Sequence, residues 1–152
     1  MSKSARPLLA AFAMVVTLGA TTTANASTSS TRLIIPRLRL DDAVGLDLAY
    51  GPAFYPGSAY PGTPYTIAIA GHRTTHTHPF WALNELQRGN RVILVWHGRR
   101  YVYRVTSTRV VAATDWAAVA DVGHERLILS TCTPRYSAAE RLLVIALPTR
   151  GS

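Results

Sequence analysis

Residues 127–134, LILSTCTP, constrain the fold most, because they join a β-prone apolar run to the chain's single cysteine and an immediate stop. The run predicts a short strand that delivers a thiol to its C-terminal end, with Pro134 unable to extend the ladder. A second apolar run, residues 142–146, begins directly after Arg141. Two strands joined by the polar loop 133–140 predict a hairpin-like return. Such a return sets the start of the second strand beside the end of the first. Cys132 and Arg141 are therefore expected at one rim, a thiol beside a permanent cation.

The rest of the chain reads as strands and turns. Residues 33–35 form a short run stopped by Pro36, and Ala43-Val44 suggests another strand. Residues 49–63 carry Gly51, Pro52, Pro56, Gly57, Pro61 and Gly62 with Tyr50, Phe54, Tyr55 and Tyr60 between them. That composition predicts a structured loop whose aromatics pack onto the fold. Residues 65–70 predict a strand that ends at Gly71-His72. Residues 79–86 predict a helical turn, with Phe80, Leu83 and Leu86 on one face, Pro79 in its first turn and Gly89 at its end. Residues 92–96 and 101–105 flank His97-Gly98 as a hairpin, its second strand extended through 106–111. Thr114-Asp115-Trp116 resembles a helix cap before a short turn at 117–120. Seven or eight short strands with one or two helical turns make a mostly β chain, a closed or nearly closed barrel.

The N-terminus differs from this pattern. Lys3 and Arg6 precede an apolar run at 8–20, and Ala24-Asn25-Ala26 gives a small-x-small exit. This predicts a secretory signal or an N-terminal anchor over residues 1–26, with 27–31 as a flexible linker and 32–152 as the working domain. The domain is then expected outside the cytoplasm, in the cell envelope. Loss of Lys3 and Arg6 lowers the formal charge from +8 by two, to about +6, and every remaining cation is an arginine. They form no dense run, and export argues against a nucleic-acid partner; a diffuse attraction to an anionic envelope fits better. A lone cysteine cannot close an internal disulfide. In an oxidising compartment it is either buried and inert or kept for chemistry.

Chemistry at Cys132 needs a base, since an unperturbed thiol is only a few per cent thiolate at neutral pH. Of the five histidines, His97 and His124 sit in turn sequences and are expected to face solvent. His72, His76 and His78 invite a metal reading. Yet Glu85, the nearest following carboxylate, lies across a proline and the expected helical turn, so the ligand spacing fails. His72 differs from the others: it stands at the end of an apolar strand, after Gly71, the same kind of rim position as Cys132. Cys132, His72 and Arg141 would make a thiol acyl-transfer site: nucleophile, acid/base and oxyanion donor. The residues by themselves equally admit a structural thiol, a capping histidine and a solvated arginine. The chain would then be an exported non-enzymatic barrel that binds an envelope polymer.

Three separated segments resemble the sortases, cysteine transpeptidases of Gram-positive envelopes. They are Ala68-Ile69-Ala70-Gly71-His72-Arg73-Thr74-Thr75 followed by Pro79-Phe80, then Leu129-Ser130-Thr131-Cys132-Thr133-Pro134, then Arg141 before its strand. The Gly-His-Arg-Thr-Thr form, with Pro61-Gly62 ahead of it, is most similar to class E sortases of actinobacteria. The resemblance implies an eight-stranded sortase barrel with catalytic Cys132, His72 and Arg141, and substrate contacts from Thr131, Thr133, Arg73 and Phe80. It implies cleavage of an LPXTG- or LAXTG-like sorting signal between Thr and Gly through a thioester, then transfer to a cell-envelope amine. Expected partners are sorting-signal-bearing surface proteins and a peptidoglycan precursor or other amine acceptor. No metal or organic cofactor is implied. A hydrolytic outcome, with water as acceptor, keeps the same residues.

Overall fold

The computed structural model describes residues 30–149. The expected secretory segment and most of the expected linker lie outside the described residues. At the linker's end, Thr31 is buried, and its carbonyl accepts a hydrogen bond from the Val44 amide at 2.7 Å.

Eight strands form one sheet: β1 (Arg32–Ile35), β2 (Leu40–Ala43), β3 (Ala53–Phe54), β4 (Thr66–Ala70), β5 (Arg91–Trp96), β6 (Arg99–Ala112), β7 (Arg126–Thr133) and β8 (Glu140–Pro148). Their order across the sheet is β2-β1-β5-β6-β8-β7-β4-β3. The sheet curls until its edges meet at a seam. Gly45, just past β2, bridges to Ala53 of β3, donating to Pro52 O at 2.9 Å and accepting from Phe54 N at 3.0 Å. This is the expected mostly β, eight-stranded barrel, joined at its seam by one bridge instead of a full strand pair.

Most expected strands form. β1 stops at Pro36, β5 and β6 turn at His97-Gly98, and β7 and β8 pair antiparallel around the 134–139 loop. β6 runs to 14 residues because a register shift between Val105 and Ser107 lets it pair first with β5 and then with β8. The helical turn expected at 79–86 shrinks to one 3-10 turn, Leu83–Glu85. Its apolar face is still buried: Phe80 and Leu83 are 0% exposed and Leu86 3%. The spacing marks burial correctly, but bends around His78 and Pro79 achieve it without an α-helix. Residues 76–78 are likewise no strand, since His76 and His78 both adopt positive φ, 54° and 37°.

β4 and β7 are the sheet's parallel pair and are buried on both faces, which explains their nearly unbroken apolar sequences. Ile67, Ile69, Leu127 and Leu129 point into the main core with Phe80, Tyr103 and Val144. On the opposite face, Ile128 and Leu143 pack against Ala118 from the segment between β6 and β7. That second layer leaves the ends of β4, β7 and β8 uncovered, and there the groove opens.

Candidate active site

The register of three strands brings the expected residues together. β4 and β7 run parallel with Ala70 opposite Ser130, and the ladder continues one bond further, Gly71 N to Ser130 O at 3.0 Å. His72 and Cys132 each lie two residues beyond that matched pair, on strands about 4.8 Å apart. On the other side of β7, Cys132 is the direct antiparallel partner of Arg141 in β8. Side chains alternate along a strand, so Ala68, Ala70, Ser130, Cys132, Arg141 and Leu143 all face outward. With His72 they line one groove of about 1190 Å³. Ala68, Ala70 and Ser130 are small, and their size makes the floor deep. Cys132 is a free thiol and partly exposed.

Each member of the trio is held by its neighbours. The Arg141 guanidinium is tied to its own loop, Nη1 donating to Ala138 O at 3.0 Å and Glu140 O at 3.1 Å. His72 Nδ1 lies 3.0 Å from Thr75 Oγ1. Burial, and secondly the neighbouring His76, push the His72 imidazole below its ordinary pKa. Gly71 sits where its strand touches the core. A Cβ there would meet the Phe80 ring at 2.5 Å. Gly71→Ala should therefore overpack the site and cost about 1–3 kcal/mol. Thermal unfolding checks this, and combination with Phe80→Leu should lose less than the sum of the two single effects.

The expected substrate contacts divide in the structure. Thr131 lines the groove, yet it is 3% exposed and its hydroxyl donates to Gly71 O at 2.7 Å, locking β4 to β7. Arg73 is 7% exposed and points behind Cys132. Its Nη1 donates to Cys132 O at 3.3 Å and to Thr133 Oγ1 at 2.8 Å, and its Nη2 to Asn84 Oδ1 at 2.9 Å. Arg73 and Thr133 thus hold the end of β7. Phe80 is a core side chain with no exposed surface, because the bends at 76–79 fold it under Gly71. Its expected place at the substrate is corrected to a support beneath the histidine loop.

The groove has walls whose turns are marked locally but whose place over the groove is not. Asp115 caps the 3-10 turn Trp116–Val119, accepting from the Ala118 amide at 3.2 Å. Buried Arg126 staples this turn to the sheet, donating to Ala120 O at 2.7 Å and to Thr66 Oγ1 at 3.0 Å. Trp116 is left 68% exposed on the groove lip. Opposite it, the Tyr55 ring meets Trp116 edge-on at 6.4 Å, and the Tyr55 hydroxyl donates to Ser130 Oγ at 2.9 Å. Three of the four aromatics of 49–63 pack down as expected, Phe54 into the core, Tyr60 against Trp96 and Tyr55 onto Ser130, while Tyr50 stays exposed. Nothing in the neighbouring residues distinguishes Tyr55 as the one that reaches the floor. Among the described residues, no three His, Cys, Asp or Glu side chains converge as a metal centre would require.

The fold has known counterparts. The chain is 32% identical over 87 residues to Sortase SrtE1 of Streptomyces coelicolor, covering 51% of this chain and 25% of that protein. It is 32% identical over 90 residues to Sortase D of Bacillus subtilis, covering 58% and 43%. It thus spans less than half the length of either relative. Sortase A from Corynebacterium diphtheriae, in its lid mutant, superposes with a TM-score of 0.74 at 26% identity, covering 82% of this chain and 72% of that one. Sortase C-1 from Actinomyces oris gives 0.74 at 26%, covering 80% and 74%. The sortase domain model matches residues 30–149, the whole barrel with its groove, and the chain belongs to the sortase family.

Proposed function

We propose that the chain is a cysteine transpeptidase of the cell envelope, of the class E type, acting on an LPXTG- or LAXTG-like sorting signal. The observation that carries this reading is the convergence of Cys132, His72 and Arg141 on one groove. Cys132 sulfur attacks the carbonyl carbon of the substrate threonine. Its proton passes to His72, and the developing oxyanion accepts hydrogen bonds from Arg141. Collapse breaks the Thr–Gly bond, with His72 returning its proton to the departing amine. The product is a thioester at Cys132 and a released C-terminal fragment. An acceptor amine, from a peptidoglycan precursor or another envelope protein, then attacks the thioester, giving up a proton to His72, and the new amide forms as the sulfur leaves and takes that proton back as the thiol. The surface proteins that carry the signal are the donors. The similarity to Sortase SrtE1 favours class E, and the basic N-terminal apolar segment favours export.

Incubating the protein with LPXTG and LAXTG peptides, with and without an added amine, tests this directly. Cleavage between Thr and Gly is expected, with the amine captured on the threonine carbonyl when present. Hydrolysis alone, even with excess amine, would make the chain a peptidase; no cleavage of either peptide would refute the reading.

A further inference from the structure

His72 does not stand alone at the end of β4. Thr75 Oγ1 lies 3.0 Å from its Nδ1. The His76 ring stacks on the His72 ring, centroids 4.3 Å apart and planes 17° from parallel. His76 has φ 54°, a conformation few non-glycine residues adopt. The turn that places it is closed by His78 N to Thr75 O at 3.0 Å and Phe80 N to His72 O at 3.1 Å. Buried Phe80 anchors that turn to the core.

We propose that Thr75 and His76 are positioning residues for His72, a two-sided brace with a hydroxyl on one edge of the imidazole and a parallel ring on one face. The inference rests on His72 being the acid/base of the proposed transfer. A base that serves a nucleophile needs a third group to hold its orientation. A carboxylate in that place would also favour the imidazolium. The brace does not. A hydroxyl can donate to Nδ1 or accept from it, so it serves the neutral and charged rings alike. His76 brings no negative charge, and when protonated it repels a protonated His72. The other charged or titratable groups of the groove are Cys132, Arg141, Asp115, Asp121 and the phenols of Tyr55 and Tyr65, while Arg73 turns back to the Cys132 carbonyl. After burial, His76 is the neighbour that acts on His72, and it acts downward. His72 is thereby kept neutral toward lower pH, ready to take the thiol proton and then to release it readily to a leaving amine.

An NMR titration of the imidazole signals in the full chain tests the brace without relying on turnover. His72 is assigned by the signal lost in His72→Gln. In the unaltered protein His72 should titrate below the ordinary imidazole value. His76→Asn, which tolerates a positive φ, and His76→Phe, which keeps a ring, both remove the second charge. Both should move the His72 midpoint upward, with the amide spectrum otherwise preserved. An unmoved or lowered midpoint in either folded variant would overturn the charge role of His76. For Thr75, loss of one hydrogen bond should lower kcat for peptide cleavage about five- to tenfold in Thr75→Ala, with KM unchanged and recovery in Thr75→Ser. Undiminished kcat in Thr75→Ala, or no recovery with serine, would overturn the hydroxyl's role. A moved midpoint in a protein that cleaves no sorting peptide would leave the brace standing and remove the transpeptidase reading. Cleavage with an unmoved midpoint would do the reverse.

Discussion

Replacing Cys132 by alanine should reduce cleavage of a sorting peptide to the uncatalysed background and abolish transfer to an added amine. The thiol is the chain's single cysteine, and it is partly exposed at the end of β7 with His72 and Arg141 in the same groove. Among the described residues, the groove offers in its place only hydroxyls, the His72 imidazole and the carboxylates of Asp115 and Asp121, and none of these has the intrinsic nucleophilicity of a thiolate. The substitution should leave the fold intact, since the strand is held by Ser130, Thr131 and Arg73 and not by the sulfur. Peptide cleavage followed by chromatography, with circular dichroism as the control for folding, checks both halves. Iodoacetamide should label the native protein and not the variant.

Arg141→Ala should lower kcat/KM by about 10²–10³, the usual cost of removing one preorganised oxyanion donor. The guanidinium lies in β8 directly across from Cys132, and two carbonyls of its own loop fix its Nη1. That anchoring makes the donor preorganised. It also predicts that Arg141→Lys recovers little, because an ammonium has no planar fork to meet those carbonyls and an oxyanion together. The loss should fall mainly on kcat, as expected for a bond that strengthens in the transition state. A loss confined to KM would recast Arg141 as a binding residue.

Legibility in the amino-acid sequence falls as the range of the interaction grows. The β7–β8 return is legible because both strands and the loop between them lie within a short stretch. Their register then places Cys132 opposite Arg141 with no further information. The hairpin at His97-Gly98 and the cap at Asp115 are legible for the same local reason. His72 is legible as the end of a strand, but its place beside Cys132 depends on the parallel pairing of β4 with β7, residues far apart in sequence. No local pattern encodes that pairing. Phe80 shows the limit of periodicity: spacing marks it for burial, but not beneath Gly71. Arg73 shows the limit of charge. It is expected at the substrate, yet it is buried with its Nη1 and Nη2 donating to the Cys132 carbonyl, Thr133 and Asn84 and its Nε left without a hydrogen-bond partner. Tyr55 and Trp116 belong to loops whose paths are set by distant anchors, Ser130 for one and Arg126, through Ala120, for the other.

The most direct measurement is the intact mass of the protein during incubation with an LPXTG or LAXTG peptide, quenched in acid before turnover completes. A single adduct is expected, equal in mass to the peptide fragment ending at threonine. It should map to Cys132 after digestion and be absent from Cys132→Ala. Cleaved peptide without any adduct in an amine-free quench series, or an adduct that survives in Cys132→Ala, would contradict a thioester at this sulfur.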